Sequence, residues 1–455
     1  MTQTTVPMPP YEEIRRINVT LRRPGVAPGY LFMSPQSILE PAVPHGPQIA
    51  DDQGRVVWFL PVPEGQYATN VRVQEYQGNP VLTWWQGEAT RTGAGTGTCY
   101  IADTAYRVIA AFRMGGDMPV DLHELLLTDR GTALVVGYHP KPCDLTPVGG
   151  REDGVILDSV VEEIDVATGE VLLHWSGAEH IPLNESDVPV QLAGDGPWDH
   201  LHVNGIGVDD DENLVVTARG SQAFYKLDRH TGEVLWKLGS GASTFVLGVG
   251  ARLNWPHDAQ PVGGGVHRVF DNGANIGMEG YESRVVWLHA DTESGVATHV
   301  KQITHPEHLS SSVEGNAEEL PNGNTLVGWG RAGRISEFSP DGELLFDATT
   351  PEGPGWTTYR VFRQEWHGRP ATPPEAVVEG DLVRAVWNGA TGVVRWRLLA
   401  GSAEESLREA EMVDWDGFDT ATKLTEALRG GLVKVEALDA DGRTIGASPA
   451  VPVGR

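Results

Sequence analysis

Cysteine is nearly absent from this chain. Cys99 and Cys143 are the two among 455 residues. They are too few for a disulfide framework or a Cys-rich zinc site, and two free thiols are expected. Basic charge is scarce too: 34 Lys and Arg stand against 62 Asp and Glu, a formal net charge of −28. So acidic a surface repels nucleic-acid phosphates and anionic membranes, and neither is expected as a partner. A small anion is not excluded, because a local cationic pocket can outweigh a diffuse surface charge. Long apolar runs are missing as well. Residues 1–18 lack the apolar core of a secretory signal, and no membrane span is expected, which points to a cytoplasmic location.

A convincing 3.6-residue apolar period is also lacking between residues 30 and 368. With 55 Gly and 31 Pro, turns are frequent, and the 14 Trp suit large β cores. The reading is all-β.

One pattern keeps returning, an Asp/Gly/Thr-rich turn followed by a short strand that ends in an aromatic. It occurs at Asp52–Trp58, Asp165–Trp175, Asp228–Trp236 and Pro340–Phe346, with looser copies at Tyr106–Ile109 and Ser283–Trp287. A second strand type alternates with it, at Thr132–Tyr138, Asn213–Arg219 and Asn322–Trp329. A spacing of roughly 50–65 residues fits four-stranded propeller blades with one long loop each. Residues 1–30 read as an extended lead-in and residues 31–369 as a six-bladed β-propeller. After the linker at Pro370–Pro374, residues 370–455 read as a small immunoglobulin- or fibronectin-like β-sandwich. Within it, 383–392 and 393–399 are expected to pair as antiparallel strands.

The groups that can carry chemistry sit at strand starts and ends. They are His123, His202 with Asn204, Arg219, and His257. Loops of successive propeller blades converge on one channel, so these residues can share a site. Imidazole, amide and guanidinium donors suit the non-bridging oxygens of a sulfuryl or phosphoryl centre. A neutral imidazole can also attack such a centre and later leave. One ring nitrogen must then be held by an acceptor, for which Asp258 is too close in sequence. A calcium-dependent propeller hydrolase or lactonase, with Glu314, Asn316, Asn272 and Asp271 as candidates, is one alternative. A non-catalytic propeller binding a small anion or a protein is another.

The ordered series Asp199-x-x-His202-x-Asn204, Thr217-Ala218-Arg219, Thr231-Gly232-Glu233, His257-Asp258-Ala259 and Phe270-Asp271-Asn272-Gly273 resembles the arylsulfotransferase family. Leu82–Gly87, Asp121–Glu124, Leu320–Asn324 and Tyr359–Arg363 resemble its shorter branch. The resemblance implies a six-bladed propeller that moves a sulfuryl group from a phenolic sulfate to an acceptor phenol. It implies ping-pong transfer through a sulfohistidine, with no nucleotide sulfate donor, no cofactor and no metal. His257 would be the nucleophile, and His202 and His123 would complete the catalytic set. Arg219 and Asn204 would hold the sulfate oxygens. Gly205 departs from the pattern, standing where a Ser is usual.

Overall fold

The recurring turns close by one device. Asp165 Oδ1 accepts the backbone N–H groups of Ala167 and Thr168 at 3.0 and 2.8 Å, and Asp228 Oδ1 those of His230 and Thr231 at 2.9 and 2.8 Å. Gly169 and Gly232 follow at φ 76° and 75°, a left-handed backbone that glycine adopts without strain. Each turn therefore launches an antiparallel edge strand. The structure, a computed structural model, describes residues 6–90, 93–241, 243–274, 280–429 and 431–453. The first five residues of the expected lead-in and the last two of the tail lie outside the described residues.

The chain is all-β, and six sheets of four or five strands occupy its first 364 residues among those described, antiparallel except where the short Val246–Leu247 strand adds in parallel to Val296–Thr304. Sheets two to six each open with a first strand: Tyr67–Tyr76, Leu125–Leu127, Val203–Val208, Pro256–Gly263 and Asn316–Glu319. Sheet one is assembled from both ends of this region. Its Tyr30–Met33, Gln48–Ala50 and Val56–Phe59 strands pair in series, and Phe362–Gln364 supplies the first strand beside Tyr30–Met33. Asn18–Arg22 in turn adds to Leu344–Thr349, the fourth strand of sheet six. Each sheet packs on the next, and the second strand of sheet six packs on Phe362–Gln364 of sheet one. Most copies of the turn–strand pattern are the fourth strands, and the second strand type supplies second strands. The copy at Ser283–Trp287 is corrected: Arg284–Asp291 is a third strand, and Val296–Thr304 is the fourth. Its Val-Val-Trp run is apolar because both its faces are covered, which an internal strand needs more than an edge strand.

The tail holds two more sheets. Glu375–Glu379, Leu382–Val386 and Asp419–Lys423 form one, while Arg408–Asp414, Arg395–Gly401, Leu432–Leu438 and Thr444–Ala447 form the other. The expected pairing of 383–392 with 393–399 is therefore wrong. Leu382–Val386 and Arg395–Gly401 lie in different sheets, and the chain crosses between them through Gly389 and Gly392 at φ 97° and 80°. Alternation explains the error. Val383 and Ala385 from one strand and Trp396 and Leu398 from the other enter one buried cluster, so the strands share a core and not a hydrogen-bond ladder.

That cluster continues into Val57, Trp58 and Trp84 of sheets one and two. Backbone bonds tie the tail to Val56–Phe59, from Phe418 N–H to Val56 O and from Gly389 N–H to Val57 O, both at 2.8 Å. Tyr106 stacks on Trp58 at 5.0 Å, donates to Gly389 O at 2.7 Å and accepts from Trp366 Nε1 at 2.9 Å. Replacing Tyr106 by Phe removes both bonds and strands a buried indole N–H. We expect a loss of about 1–3 kcal/mol, read as a lowered thermal midpoint. An unchanged midpoint would show that the tail is held without this contact. Cys99 and Cys143 are both free, as expected.

Candidate active site

Every one of the six first strands contributes a residue at or just before its start to a single cavity of about 680 Å³. Thr69, His123, His202, His257, Glu314 and Tyr359 are those residues, and Arg219 joins them from the end of the strand after His202. Among the described residues, the tail contributes none of the cavity's lining. A larger cleft, about 970 Å³, lies between sheet one and the tail. It lacks any convergence of buried imidazole and guanidinium groups, so we place the chemistry in the smaller cavity.

Three of the expected site residues meet there as imidazoles, each held differently. His123 directs Nδ1 at Asp121 Oδ1, in a short contact that the same carboxylate shares with the His123 backbone N–H at 2.9 Å. Asp121 Oδ2 is occupied by Gly95 N–H at 2.5 Å, so this carboxylate is fully engaged and fully buried. His202 directs Nδ1 at Asp199 Oδ2 at 2.5 Å. The Nε2 atoms of His123 and His202 then face each other at 3.2 Å. With both Nδ1 positions donating to carboxylates, attraction between the two Nε2 atoms requires one shared proton. His257 differs. Its Nδ1 meets the amide oxygen of Asn272 at 2.7 Å, and the backbone N–H of Glu314 points at its Nε2 at 3.3 Å.

The backbone is bent to achieve this. His202, Trp255, Asp258 and Glu314 all adopt left-handed conformations, at φ 54°, 53°, 50° and 66°. For residues with a Cβ each such position is uncommon and costs energy, and such positions concentrate where side chains must be aimed. At His202 the bend is held by Arg219 N–H, which donates to His202 O at 3.0 Å beside a bulge between Val203 and Gly205. Gly315, next to Glu314, leaves no room for a side chain, since a Cβ there would stand 2.5 Å from the Phe270 ring.

Arg219 lies over the Trp255 ring, 4.7 Å from its centroid, and 3.9 Å from Asp199. Its Nε is buried without a partner. A guanidinium so placed keeps donors for an incoming anion. Burial, reinforced by the Arg219 charge and the other two imidazoles, pushes His257 well below the ordinary imidazole range. Burial and Arg219 likewise lower His202, to about 4, against the pull of Asp199. Burial would raise the Asp199 carboxyl, but His202 and Arg219 outweigh it and hold it below the usual range. Glu314 opens onto the cavity with Oε2 accepting Thr357 Oγ1 at 2.5 Å, and burial raises its carboxyl. The wall thus offers a neutral, unprotonated imidazole nitrogen beside a permanent cation.

Residues 72–350 match the family described as Arylsulfotransferase (ASST). This chain belongs to the arylsulfotransferase family. The matched segment contains His123, His202, Arg219, His257 and Glu314, and Tyr359 lies just beyond it. No curated protein matches the chain. Among solved structures it is similar to a protein of unknown function from Bacteroides caccae, at 12% identity and TM-score 0.46, covering 74% of this chain and 98% of that one. It is also similar to a periplasmic gluconolactonase from Pseudomonas aeruginosa, at 13% and 0.40, covering 73% and 99%. A third is virginiamycin B lyase from Staphylococcus aureus, at 9% and 0.35, covering 78% and 95%.

One expected member of this arylsulfotransferase's site is placed differently. Asn204 is fully buried; its Nδ2 donates to Pro256 O at 3.0 Å and its Oδ1 is enclosed without a partner. It braces the residue before His257 and does not line the cavity. Gly205, beside it, is crowded: a Cβ would stand 3.2 Å from Thr217 Oγ1 and 3.3 Å from Asp258 Cα. A Ser here would be tight, needing its neighbours to give by a few tenths of an ångström. The four calcium candidates do not converge as a ligand set. Asn272 serves His257, Asn316 clamps both backbone groups of Val361, Asp271 pairs with Arg284, and Glu314 faces the cavity. Beneath the site Arg360 is clamped by Glu124 at 2.8 Å and by Asn204 O at 3.0 Å, all buried. Sequence reading missed Asp121, Asp199, Asn272 and Glu314 as partners of the imidazoles. The first two carry a signal, a carboxylate two or three residues before each His.

Proposed function

We propose that this arylsulfotransferase moves a sulfuryl group from a phenolic sulfate to an acceptor phenol by ping-pong transfer through a sulfohistidine at His257, without a nucleotide sulfate donor. The carrying observation is the His257 ring: buried, held well below the ordinary imidazole range by burial and the Arg219 charge, its Nδ1 occupied by Asn272, and lining a cavity that also holds Arg219. Nε2 attacks sulfur, the sulfur–oxygen bond breaks, and its electron pair leaves on the phenolate. The His123–His202 pair, which shares one proton between its Nε2 atoms, supplies that proton to the departing oxygen and recovers one from the acceptor phenol. The Arg219 guanidinium compensates charge on the sulfuryl oxygens. Asn204 acts through Pro256, keeping His257 in place.

We further read the six sheets as blades of a six-bladed β-propeller over residues 31–369. The reading is supported by the sheet-to-sheet packing and by the shared cavity at the first-strand starts. The two tail sheets, sharing one core, support a β-sandwich for residues 370–455. A cytoplasmic location remains part of the proposal.

Ping-pong transfer predicts parallel double-reciprocal lines when p-nitrophenyl sulfate is varied at several fixed phenol concentrations, because the first product departs before the acceptor binds. Lines that intersect would instead require both substrates on the protein at once and would overturn the covalent reading.

A further inference from the structure

We propose that Asn272 is the positioning residue for His257: its amide oxygen fixes the ring with the proton on Nδ1, and its lack of charge keeps the sulfated ring a reactive donor. This rests on His257 being the nucleophile. The observation behind it is a contrast inside one cavity. His123 and His202 each set Nδ1 against a carboxylate, Asp121 and Asp199. His257 sets Nδ1 against a neutral amide at 2.7 Å.

The amide cannot turn its other end to the ring. Asn272 Nδ2 donates to Ser311 O at 2.9 Å and to Glu314 O at 3.0 Å, so only Oδ1 is left for His257. Ser283 Oγ locks the arrangement, donating to Asn272 O and accepting from Ser311 N–H, both at 2.8 Å. Asn272 is fully buried. With Oδ1 able only to accept, the proton must lie on Nδ1 and the lone pair on Nε2, where it meets the Glu314 backbone N–H at 3.3 Å until sulfur takes its place. The backbone of Glu314 serves both ends of the ring, its carbonyl orienting Asn272 and its N–H facing Nε2.

The charge argument concerns the second half of the reaction. Once Nε2 bears the sulfuryl group, the ring keeps its Nδ1 proton and a positive charge. A carboxylate on Nδ1 would stabilise that charge and hold the nitrogen–sulfur bond. An amide orients the ring without compensating it. When the acceptor oxygen bonds to sulfur, the N–S electron pair returns to Nε2 and the acceptor proton passes to the neighbouring imidazole pair. The two carboxylate-backed rings meet Nε2 to Nε2, where a proton can pass between them, whereas the amide-backed ring is built to release a sulfuryl group.

Asn272→Asp tests this. The sulfated intermediate should transfer to phenol roughly tenfold or more slowly, in line with losses at orienting partners of a reactive ring. The acid limb of intermediate formation should move to higher pH, because a carboxylate favours the protonated imidazole. Arg219, Arg331, His123, His202, Glu314 and the phenols Tyr67 and Tyr359, the charged and titratable groups sharing the cavity, are unaltered in this variant. A folded Asn272→Asp protein with the same intermediate lifetime and the same acid limb would overturn the proposal. A carboxylate facing two carbonyl oxygens can also cost the fold, so a measurement on the unaltered chain stands beside it. In nitrogen NMR of histidine-labelled protein, with His257 assigned by its loss in His257→Ala, the ring should be neutral with the proton on Nδ1 at about pH 6.5, the ordinary imidazole midpoint. A proton on Nε2 there would contradict the proposal. An intermediate that forms unchanged in His257→Ala would remove instead the nucleophile reading beneath it.

Discussion

His257→Ala should lose sulfuryl transfer by about 10^4-fold or more while remaining folded, as removal of a covalent nucleophile does in other covalent enzymes. The size follows from the role. No other cavity residue presents a neutral nitrogen whose opposite face is held by a neutral acceptor. His202 and His123 spend their Nε2 atoms on each other, 3.2 Å apart. The variant also removes a bond to a fully buried amide oxygen, so its thermal midpoint should fall modestly and its β-sheet circular dichroism should persist. Transfer at the unaltered rate in a folded His257→Ala protein would place the nucleophile elsewhere.

Arg219→Ala should cost about 10^2–10^3-fold in kcat/KM, the range seen when one preorganised donor to a developing anion is lost. Arg219→Lys should recover little, because an ammonium lacks the planar fork and stacks less well on Trp255. A second effect separates this residue from a mere anchor. After burial, Arg219 is the strongest influence holding His257 below the ordinary imidazole range. Without it the protonated ring is favoured, the neutral nucleophile is depleted at acid pH, and the acid limb moves upward. The loss should therefore be larger near pH 6 than near pH 8, measured as kcat/KM for the sulfate donor across that interval. A uniform loss at all pH would restrict Arg219 to binding the anion.

Much of this site was legible in the sequence because its residues occupy one repeated position. His123, His202 and His257 stand at or just before the first strand of three successive sheets, and a repeat that closes on itself brings such positions together. Glu314 holds the same position before Asn316–Glu319; the sequence offered it as a calcium candidate, and only the repeat could have set it beside the three imidazoles. Asn272 was legible as part of Phe270–Gly273, but its direction was not. His257 lies opposite Phe270 in the hairpin, and Asn272 comes beside the ring only because the strand ends there and turns. Asn204 shows the reverse. Its spacing from His202 suggested a substrate contact, but the bulge after Val203 rotates it onto Pro256. The tail strands were recognised and mispaired, since alternation reports which face is apolar and not which neighbour completes the ladder.

The most direct measurement is the intact mass of the protein after mixing with p-nitrophenyl sulfate and no acceptor, at neutral or higher pH to preserve the nitrogen–sulfur bond. The account predicts a gain of one SO3 group, lost on adding phenol and absent in His257→Ala. Steady p-nitrophenol release in the presence of phenol, with no mass gain under any mixing time, would contradict a covalent intermediate at His257.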